Sequence, residues 1–199
     1  MTRLTPPVGA GDHTVGPADA LITLVEYGDY ECPYCLMAHP IVRAARRRLG
    51  NRMRFVFRNF PLKQIHPHAQ HAAEAAEAAA AQGRFWEMHD VIFENQYALE
   101  DADLLRYGRS IGLDTARLAH DLEAGTFTAR VRDDFRSGVR SGVNGTPTFF
   151  IDGERYDGTW TDEGAFIRSL RDAVDRRLRN PLTPGNDPHA ATGEALPSR

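Results

Sequence analysis

Apolar and polar positions follow two different periods along the chain, and these periods divide it into elements. Residues 20–27 (ALITLVEY) are an apolar run of strand length, and residues 53–60 (MRFVFRNF) alternate apolar and polar side chains as a strand does. Between them, residues 33–49 have a helical pattern that begins at Pro33, since the first helical turn tolerates a residue without an N–H. The strand–helix–strand spacing predicts a parallel βαβ unit.

Helical patterns fill the middle of the chain, from about residue 64 to about residue 141. An Ala-rich stretch of high helix propensity is followed by amphipathic segments: residues 67–82, 84–97, 101–111, 114–123 and 126–141. Next come a short apolar run (PTFFI, 147–151), a turn at Asp152 and Gly153, and a last helical pattern over 161–179. This order predicts an α/β fold in which a βαβ half and a ββα half are separated by a helical insertion at 64–141.

The two ends of the chain lack such periodicity. Residues 1–16 and 181–199 are rich in Pro and Gly, a composition typical of flexible segments. We therefore expect one folded domain over residues 17–180, with a flexible extension before it and a flexible tail after it. The chain of 199 residues is 42% apolar, which is enough for a single core.

The charge and hydropathy of the chain exclude several classes of partner. The net charge is −3 and the arginines alternate with acids, so nucleic acid is not an expected partner. No apolar run approaches the ~20 residues of a membrane-spanning helix, and no membrane segment is expected. The first residues contain no apolar stretch of a secretory signal, which predicts a cytoplasmic location unless a leader was removed from a periplasmic or extracellular protein. The mixed surface predicts a monomer.

Both cysteines of the chain, Cys32 and Cys35, lie in the stretch ECPYC between the first strand and the first helix. A Cys-X-X-Cys motif at this point of a βαβ unit is typical of a redox-active dithiol. A zinc site would need two further ligands, for which the histidines of HPHAQH (His66, His68, His71) are the available cluster. A structural disulfide is a weaker interpretation, because so small a loop removes little entropy from the unfolded chain. The spacing favours the redox couple and leaves zinc as an alternative.

The start of a helix gives the two thiols different roles. Cys32 lies where free backbone N–H groups and the positive end of the helix dipole favour a thiolate, so it is the expected attacking sulfur. Cys35 follows one turn later on the inner side and suits a resolving thiol that breaks a mixed disulfide. Pro33 and Tyr34 begin the helix, and they are expected to tune the potential through the number of N–H groups that point at the Cys32 sulfur.

Two further positions extend the candidate site. Glu26 lies inside the apolar first strand, where a buried carboxylate needs a raised pKa or a proton partner. It is either a proton relay for Cys35 or an acid at the strand end that faces solvent or pairs with an arginine. Thr146 and Pro147 precede the apolar run PTFFI. A cis bond there would present the backbone of Thr146 to an extended peptide, whereas a trans proline would only start the strand.

Quoted together, VEYGDYECPYC, GVNGTPTFFIDG and the helical block between them resemble the DsbA-like branch of the thioredoxin superfamily over roughly residues 14–178. The resemblance implies a thioredoxin fold with a helical insertion, and thiol–disulfide exchange with protein substrates and an unidentified redox partner, without cofactor or metal. It implies that Cys32 is the nucleophile, Cys35 the resolving thiol, Glu26 a buried acid and Pro147 the cis-proline. The stretches HPHAQHAAEAAEAA and GRFWEMHD resemble a bacterial subgroup that also occurs fused to sodium/proton antiporters.

The chain departs from that family beside the cysteines. Tyr34 stands where the periplasmic oxidase of the family has His, so we expect a less depressed pKa of Cys32 and a less oxidising couple. In the cytosol the dithiol would rest reduced and act as a reductase, an isomerase or a repair partner. Pro33, Tyr34 and Thr146 are the expected substrate contacts. The alternative function is a non-catalytic peptide-binding or chaperone module with a thioredoxin fold.

Overall fold

The computed structural model describes residues 2–180, and within them one five-stranded sheet is covered by helices. The strands are β1 (His13–Val15), β2 (Ile22–Gly28), β3 (Met53–Asn59), β4 (Thr148–Ile151) and β5 (Glu154–Tyr156). The helices are α1 (Pro33–Leu49), α2 (Ala69–Ala80), α3 (Phe85–Glu94), α4 (Asp101–Ser110), α5 (Thr115–Glu123), α6 (Thr128–Arg140) and α7 (Glu163–Arg179). None of these helices has both the length and the hydropathy that crossing a bilayer requires. The predicted C-terminal tail, residues 181–199, lies outside the described residues.

The strand order in the sheet is β1-β3-β2-β4-β5. β2 and β3 are parallel, with Leu24 opposite Phe55, and α1 connects them. β4 is antiparallel to both β2 and β5. The α/β class, the βαβ half and the hairpin of the ββα half are therefore confirmed. The central strand β2 is buried at almost every position, which explains why its sequence is a nearly continuous apolar run.

The helices α2 to α6 lie between β3 and β4 in sequence, as the predicted insertion does, and they pack closely on the sheet. Gly138 of α6 lies so near the sheet that a Cβ atom there would be 2.6 Å from the ring of Phe60. Next to it, the hydroxyl groups of Ser137 and Tyr27 are hydrogen-bonded at 2.7 Å. One core cluster contains side chains of α1, the sheet, α2, α3 and α7. The insertion is thus part of the same packed body as the sheet.

Residues 2–16, which the sequence predicts to form a flexible extension, pack against the sheet in the structure. β1 pairs antiparallel with β3, and Leu4 is buried. Arg58 of β3 is buried, and it donates to the two carboxylate oxygens of Asp12 at 2.7 and 2.9 Å and to two backbone carbonyls of the N-terminal segment. A buried guanidinium without such acceptors would be costly. The partner that orders this segment is distant in sequence, so its composition alone did not reveal it.

Candidate active site

Cys32 is the N-cap residue of α1, with an extended backbone, and Pro33 is the first residue of the helix. The carbonyl of Cys32 accepts hydrogen bonds from the backbone N–H groups of Cys35 at 3.0 Å and Leu36 at 3.1 Å, which close the first helical turn. The backbone N–H groups of Tyr34 and Cys35 also lower the pKa of Cys32. This is the position at which free amides and the helix dipole stabilise a negative charge.

The pKa of Cys32 is lowered from 9.0 to about 5. A hydrogen bond with the side chain of Cys35 is the largest cause, and the hydroxyl of Thr146 and the backbone amides lower the pKa further, against the effect of burial. That hydroxyl oxygen is buried, and it forms no hydrogen bond of normal geometry with any described residue. The thiol form can instead donate to the Thr146 carbonyl, which lies 3.4 Å from the sulfur. With this pKa, the Cys32 sulfur is a thiolate at neutral pH.

Cys35 has the opposite character. Its side chain is fully buried, and burial raises its pKa well above 9.0, with the hydrogen bond to Cys32 as the next cause. The backbone N–H of Asp29 donates to its sulfur at 3.4 Å. The two cysteines are free thiols, not a disulfide. Environments that push two neighbouring pKa values apart are the usual means by which a site separates nucleophile from proton donor.

The attacking sulfur is nearly covered. Cys32 is 3% exposed, although Tyr34 and Met37 on the following turns of α1 are 58% and 51% exposed. A disulfide that reacts with Cys32 must therefore displace some of the atoms that bury the Cys32 sulfur. Small reagents will reach the sulfur more easily than folded proteins do.

Glu26 lies in the middle of the sheet, opposite Phe57 of β3 and Phe149 of β4. Its side chain is buried, and its pKa is raised to about 8, first by burial and then by the negative charge of Cys32. The interpretation as a solvent-facing acid at a strand end does not fit this position, and within residues 2–180 no arginine forms an ion pair with Glu26. The carboxyl group is largely protonated at pH 7.

The loop between α6 and β4 brings Thr146 and Pro147 to the cysteines. β4 pairs with β2, and the Thr146–Pro147 peptide bond that precedes β4 is cis. The structure thus places Thr146, Cys32 and Cys35 together beyond the carboxyl end of the central strand β2, with Pro33 and Tyr34 at the start of α1.

Asp29 is a site residue that the sequence analysis did not identify. Its buried carboxylate accepts hydrogen bonds, each at 2.8 Å, from the backbone N–H groups of Glu31 and Leu62 and from Nδ1 of His66. Since its own backbone N–H points at the Cys35 sulfur, Asp29 fixes the loop that contains the dithiol. An Asp directly after Gly at a strand end is a signal for such a side-chain turn, and it was available in the sequence.

Gln96 is a second residue that the sequence analysis missed. It is buried in the insertion, and its side-chain amide donates to the backbone carbonyls of Tyr30 and Cys32 at 2.9 Å each. No local pattern marks this glutamine, because its partners are more than sixty positions away.

The histidines considered as zinc ligands have other partners. His66 pairs with Asp29 and His71 with Asp101, each at 2.8 Å. Over residues 2–180, neither cysteine shares a three-ligand cluster with a histidine. The geometry therefore gives no support to zinc at the Cys-X-X-Cys motif.

A family model described as Thioredoxin matches residues 9–168 of the chain. Similar curated proteins include the Na(+)/H(+) antiporter NhaA 1 of Salinispora arenicola, 47% identical over 168 residues that cover 84% of this chain and 26% of the relative. The Na(+)/H(+) antiporter NhaA of Herminiimonas arsenicoxydans is 44% identical over 182 residues, 91% of this chain and 28% of the relative. The chain spans about a quarter of the length of these relatives. They confirm the resemblance to the subgroup that also occurs fused to antiporters.

Solved structures confirm the fold. BdbD from Bacillus subtilis, in its oxidised form, has a TM-score of 0.76 at 22% identity, covering 83% of this chain and 94% of that one. A thioredoxin-like oxidoreductase from Silicibacter pomeroyi has a TM-score of 0.70 at 29% identity, with coverages of 86% and 94%. Alpha-DsbA1 from Wolbachia pipientis has a TM-score of 0.75 at 19% identity, with coverages of 88% and 96%. The predicted thioredoxin fold with a helical insertion is thereby confirmed, and the fold of the chain resembles that of alpha-DsbA1.

Proposed function

Because the chain belongs to the thioredoxin family, we propose that it is a thiol–disulfide oxidoreductase that exchanges disulfides with protein substrates. The observation that supports this most directly is the pairing of two free thiols of opposite character at the N-terminus of α1. Cys32 has amide donors that favour its thiolate, and Cys35 is a buried thiol one turn away. This is the arrangement that two successive exchange steps require.

In the first step the Cys32 thiolate attacks one sulfur of a client disulfide. The new bond joins Cys32 to that client sulfur, the client S–S bond breaks, and the second client sulfur leaves as a thiolate that takes a proton from solvent. The low pKa of Cys32 provides the ionised nucleophile at neutral pH. The backbone amides at the start of α1 stabilise the negative charge until the client arrives.

In the second step the Cys35 thiol loses its proton and attacks the Cys32 sulfur. The mixed disulfide breaks, the client leaves as a second thiol, and a Cys32–Cys35 disulfide remains. The client disulfide has gained two electrons and the dithiol has lost them, and the reverse sequence oxidises a client dithiol. The Asp29 N–H, which points at the Cys35 sulfur, favours the anion that develops there.

We assign to Glu26 the role of exchanging the proton of Cys35. Its pKa is raised in part by the negative charge of Cys32. When Cys32 enters a mixed disulfide that charge disappears, so the pKa of Glu26 falls and its proton is released more readily. A carboxylate is then present when Cys35 must be deprotonated, which couples the two steps.

Several exposed apolar side chains lie close in sequence to the dithiol or to residues that contact its loop, and they favour extended, apolar client segments. Tyr34 and Met37 lie within two residues of Cys35 in the sequence. Ile65 is next to His66, and Tyr97 is next to Gln96. All four side chains are at least half exposed. An exposed apolar surface next to a reactive group is typical of a binding surface for other proteins. We propose that Pro33, Tyr34 and the backbone of Thr146 contact the client directly.

Reduction of insulin by dithiothreitol, followed by turbidity, tests the proposal. The wild-type protein is expected to accelerate the reaction, and the Cys32→Ser variant is expected to be inactive. The Cys35→Ala variant is expected to accumulate a mixed disulfide with insulin that can be isolated without reductant. Full activity of Cys32→Ser would overturn the proposal, and client binding that ignores both cysteines would favour a peptide-binding module instead.

A further inference from the structure

Three metal-ligating side chains meet between α1 and α3, away from the dithiol. His39 comes from α1, and His89 and Asp90 come from α3, with one ligand atom of each within 4.8 Å of the others. His39 and His89 are 8% and 3% exposed. Neither the exchange reaction nor the zinc alternative considered for the cysteines uses this group.

Two polar atoms of the group lack hydrogen-bond partners. His39 Nε2 and Asp90 Oδ1 are both buried, and neither forms a hydrogen bond within residues 2–180. They are 3.4 Å apart, yet they are not oriented as donor and acceptor. Ligands of a tetrahedral ion with bonds of about 2.0–2.1 Å lie about 3.3 Å from one another. Buried polar atoms without hydrogen-bond partners are rare. A metal ion bound between these two atoms would explain why neither has such a partner.

The third ligand is oriented by a hydrogen bond. Nδ1 of His89 lies 3.1 Å from the hydroxyl of Tyr30. If Nδ1 carries the proton and donates it to that oxygen, Nε2 has the free lone pair. A metal-binding histidine usually has such a partner on its second nitrogen. His39 and His89 both pack against the ring of Phe93, at 5.0 Å between centroids, and apolar surroundings favour the neutral, ligating form of imidazole.

We propose that His39, His89 and Asp90 bind one divalent cation of the zinc type. Two imidazole nitrogens and one carboxylate oxygen are a ligand set that suits zinc, whereas calcium and magnesium prefer oxygen ligands. The side chain of Asp90 is 37% exposed, so water can occupy the fourth position. Such a site joins α1, the helix that contains Cys35, to α3 of the insertion.

The charges near the site leave the carboxylate available to a cation. Two arginines and two glutamates surround Asp90, namely Arg43, Arg46, Glu87 and Glu94. Arg43 forms an ion pair with Glu94 at 2.9 Å, and the guanidinium of Arg46 lies over the Trp86 ring at 5.7 Å. Within residues 2–180 no arginine forms an ion pair with Asp90, so its carboxylate remains available to a cation.

Zinc titration of a protein without cysteines tests this proposal, since the dithiol itself can bind zinc. In the Cys32→Ser/Cys35→Ser double variant, calorimetric titration with zinc chloride is expected to show one equivalent bound and a higher melting temperature. Adding His39→Ala or Asp90→Asn is expected to weaken binding at least tenfold and to remove the rise in melting temperature. The control is His71→Ala, which removes an exposed histidine that pairs with Asp101, and it is expected to bind zinc unchanged.

Cobalt gives a second measurement that does not depend on stability. Bound Co²⁺ is expected to show the visible absorption of a tetrahedral site with nitrogen and oxygen ligands, and to lose it in the His39→Ala variant. Circular dichroism shows whether each variant is folded, and Asp90→Asn changes a partly exposed side chain. Absence of zinc binding in the cysteine-free protein would overturn the proposal, as would binding that persists in both His39→Ala and Asp90→Asn.

Discussion

The side-chain amide of Gln96 donates a hydrogen bond to the backbone carbonyl of Cys32 at 2.9 Å. Gln96 belongs to the helical insertion, whereas Cys32 caps the first helix of the thioredoxin fold. A second bond from the same amide reaches the carbonyl of Tyr30. The insertion therefore holds the loop that presents the attacking sulfur, and it is more than a cover for the sheet.

Replacing Gln96 with Leu should destabilise the protein and disturb the dithiol. The carbonyl of Tyr30 loses a buried donor, which costs about 1–3 kcal/mol in the free energy of unfolding. Urea denaturation measures this loss, and alkylation of Cys32 by iodoacetamide reports the disturbance of the loop. The matched control is Asn95→Ala, whose exposed side-chain amide donates to the carbonyl of Val91 one turn earlier. A stable Gln96→Leu variant with unchanged alkylation would contradict the assigned role.

Glu26 should make stability depend on pH in a predictable direction. Its pKa is about 8 in the folded protein against an ordinary 4.5. The folded state thus binds this proton more tightly than the unfolded state does, so the stabilisation is complete below pH 4.5 and is lost as the pH rises through 8. Relative to Glu26→Gln, the wild-type protein should lose about 3–5 kcal/mol between these limits.

Urea denaturation of both proteins at several pH values measures this difference. Cys32 also makes stability depend on pH, but in the opposite direction, because its pKa is lowered in the folded state. Since both proteins contain Cys32, comparing them removes most of its contribution to this pH dependence. A difference that stays constant from pH 4.5 to 8 would show that Glu26 is ionised throughout.

The close approach of α6 to the sheet can be tested at Gly138. A Cβ atom there would collide with the ring of Phe60, so Gly138→Ala should destabilise the protein by about 1–3 kcal/mol although alanine favours helix. Gly164→Ala, in the first turn of α7, is the helical control, since a Cβ there would lie 3.2 Å from the nearest side-chain atoms, those of Arg168 and Asp162. We expect this control to lose less stability than Gly138→Ala does. Equal thermal stability of the two variants would mean that α6 has room to move.

Cys35 should control the acidity of Cys32. Its side-chain hydrogen bond is the largest cause that lowers the pKa of Cys32. The pKa of Cys32 in the Cys35→Ala variant should therefore lie above that of the wild-type protein, measured as the pH at which iodoacetamide reacts at half its maximal rate. An unchanged midpoint would assign the acidity to the helix amides alone.

Local patterns were enough to predict most of the fold and the reactive pair. The apolar run of β2, the proline at the start of α1 and the Ala-rich α2 are signals that lie within a few consecutive residues, so periodicity and propensity identify them. The Cys-X-X-Cys motif is likewise a local signal, and it indicates a redox-active dithiol. The place of Glu26 within an apolar strand left two interpretations open, and the structure shows that its side chain is buried.

Contacts between segments that are distant in sequence could not be predicted from local patterns. Arg58 orders the N-terminal residues through Asp12, and Gln96 reaches the dithiol from the insertion, and neither pair has a local signature. The group of His39, His89 and Asp90 depends on how α1 and α3 pack against each other. A pattern within one element cannot specify a relation between two elements.

The pH dependence of Cys32 alkylation shows whether the Cys32 sulfur is ionised at neutral pH. The reduced wild-type protein is treated with iodoacetamide from pH 3 to pH 10, and mass spectrometry of the Cys32 peptide gives the rate at each pH. We expect half-maximal reactivity at about pH 5 and a constant rate between pH 7 and 8, because the sulfur is then fully ionised. A rate that is still rising above pH 8, as for an ordinary thiol, would contradict it.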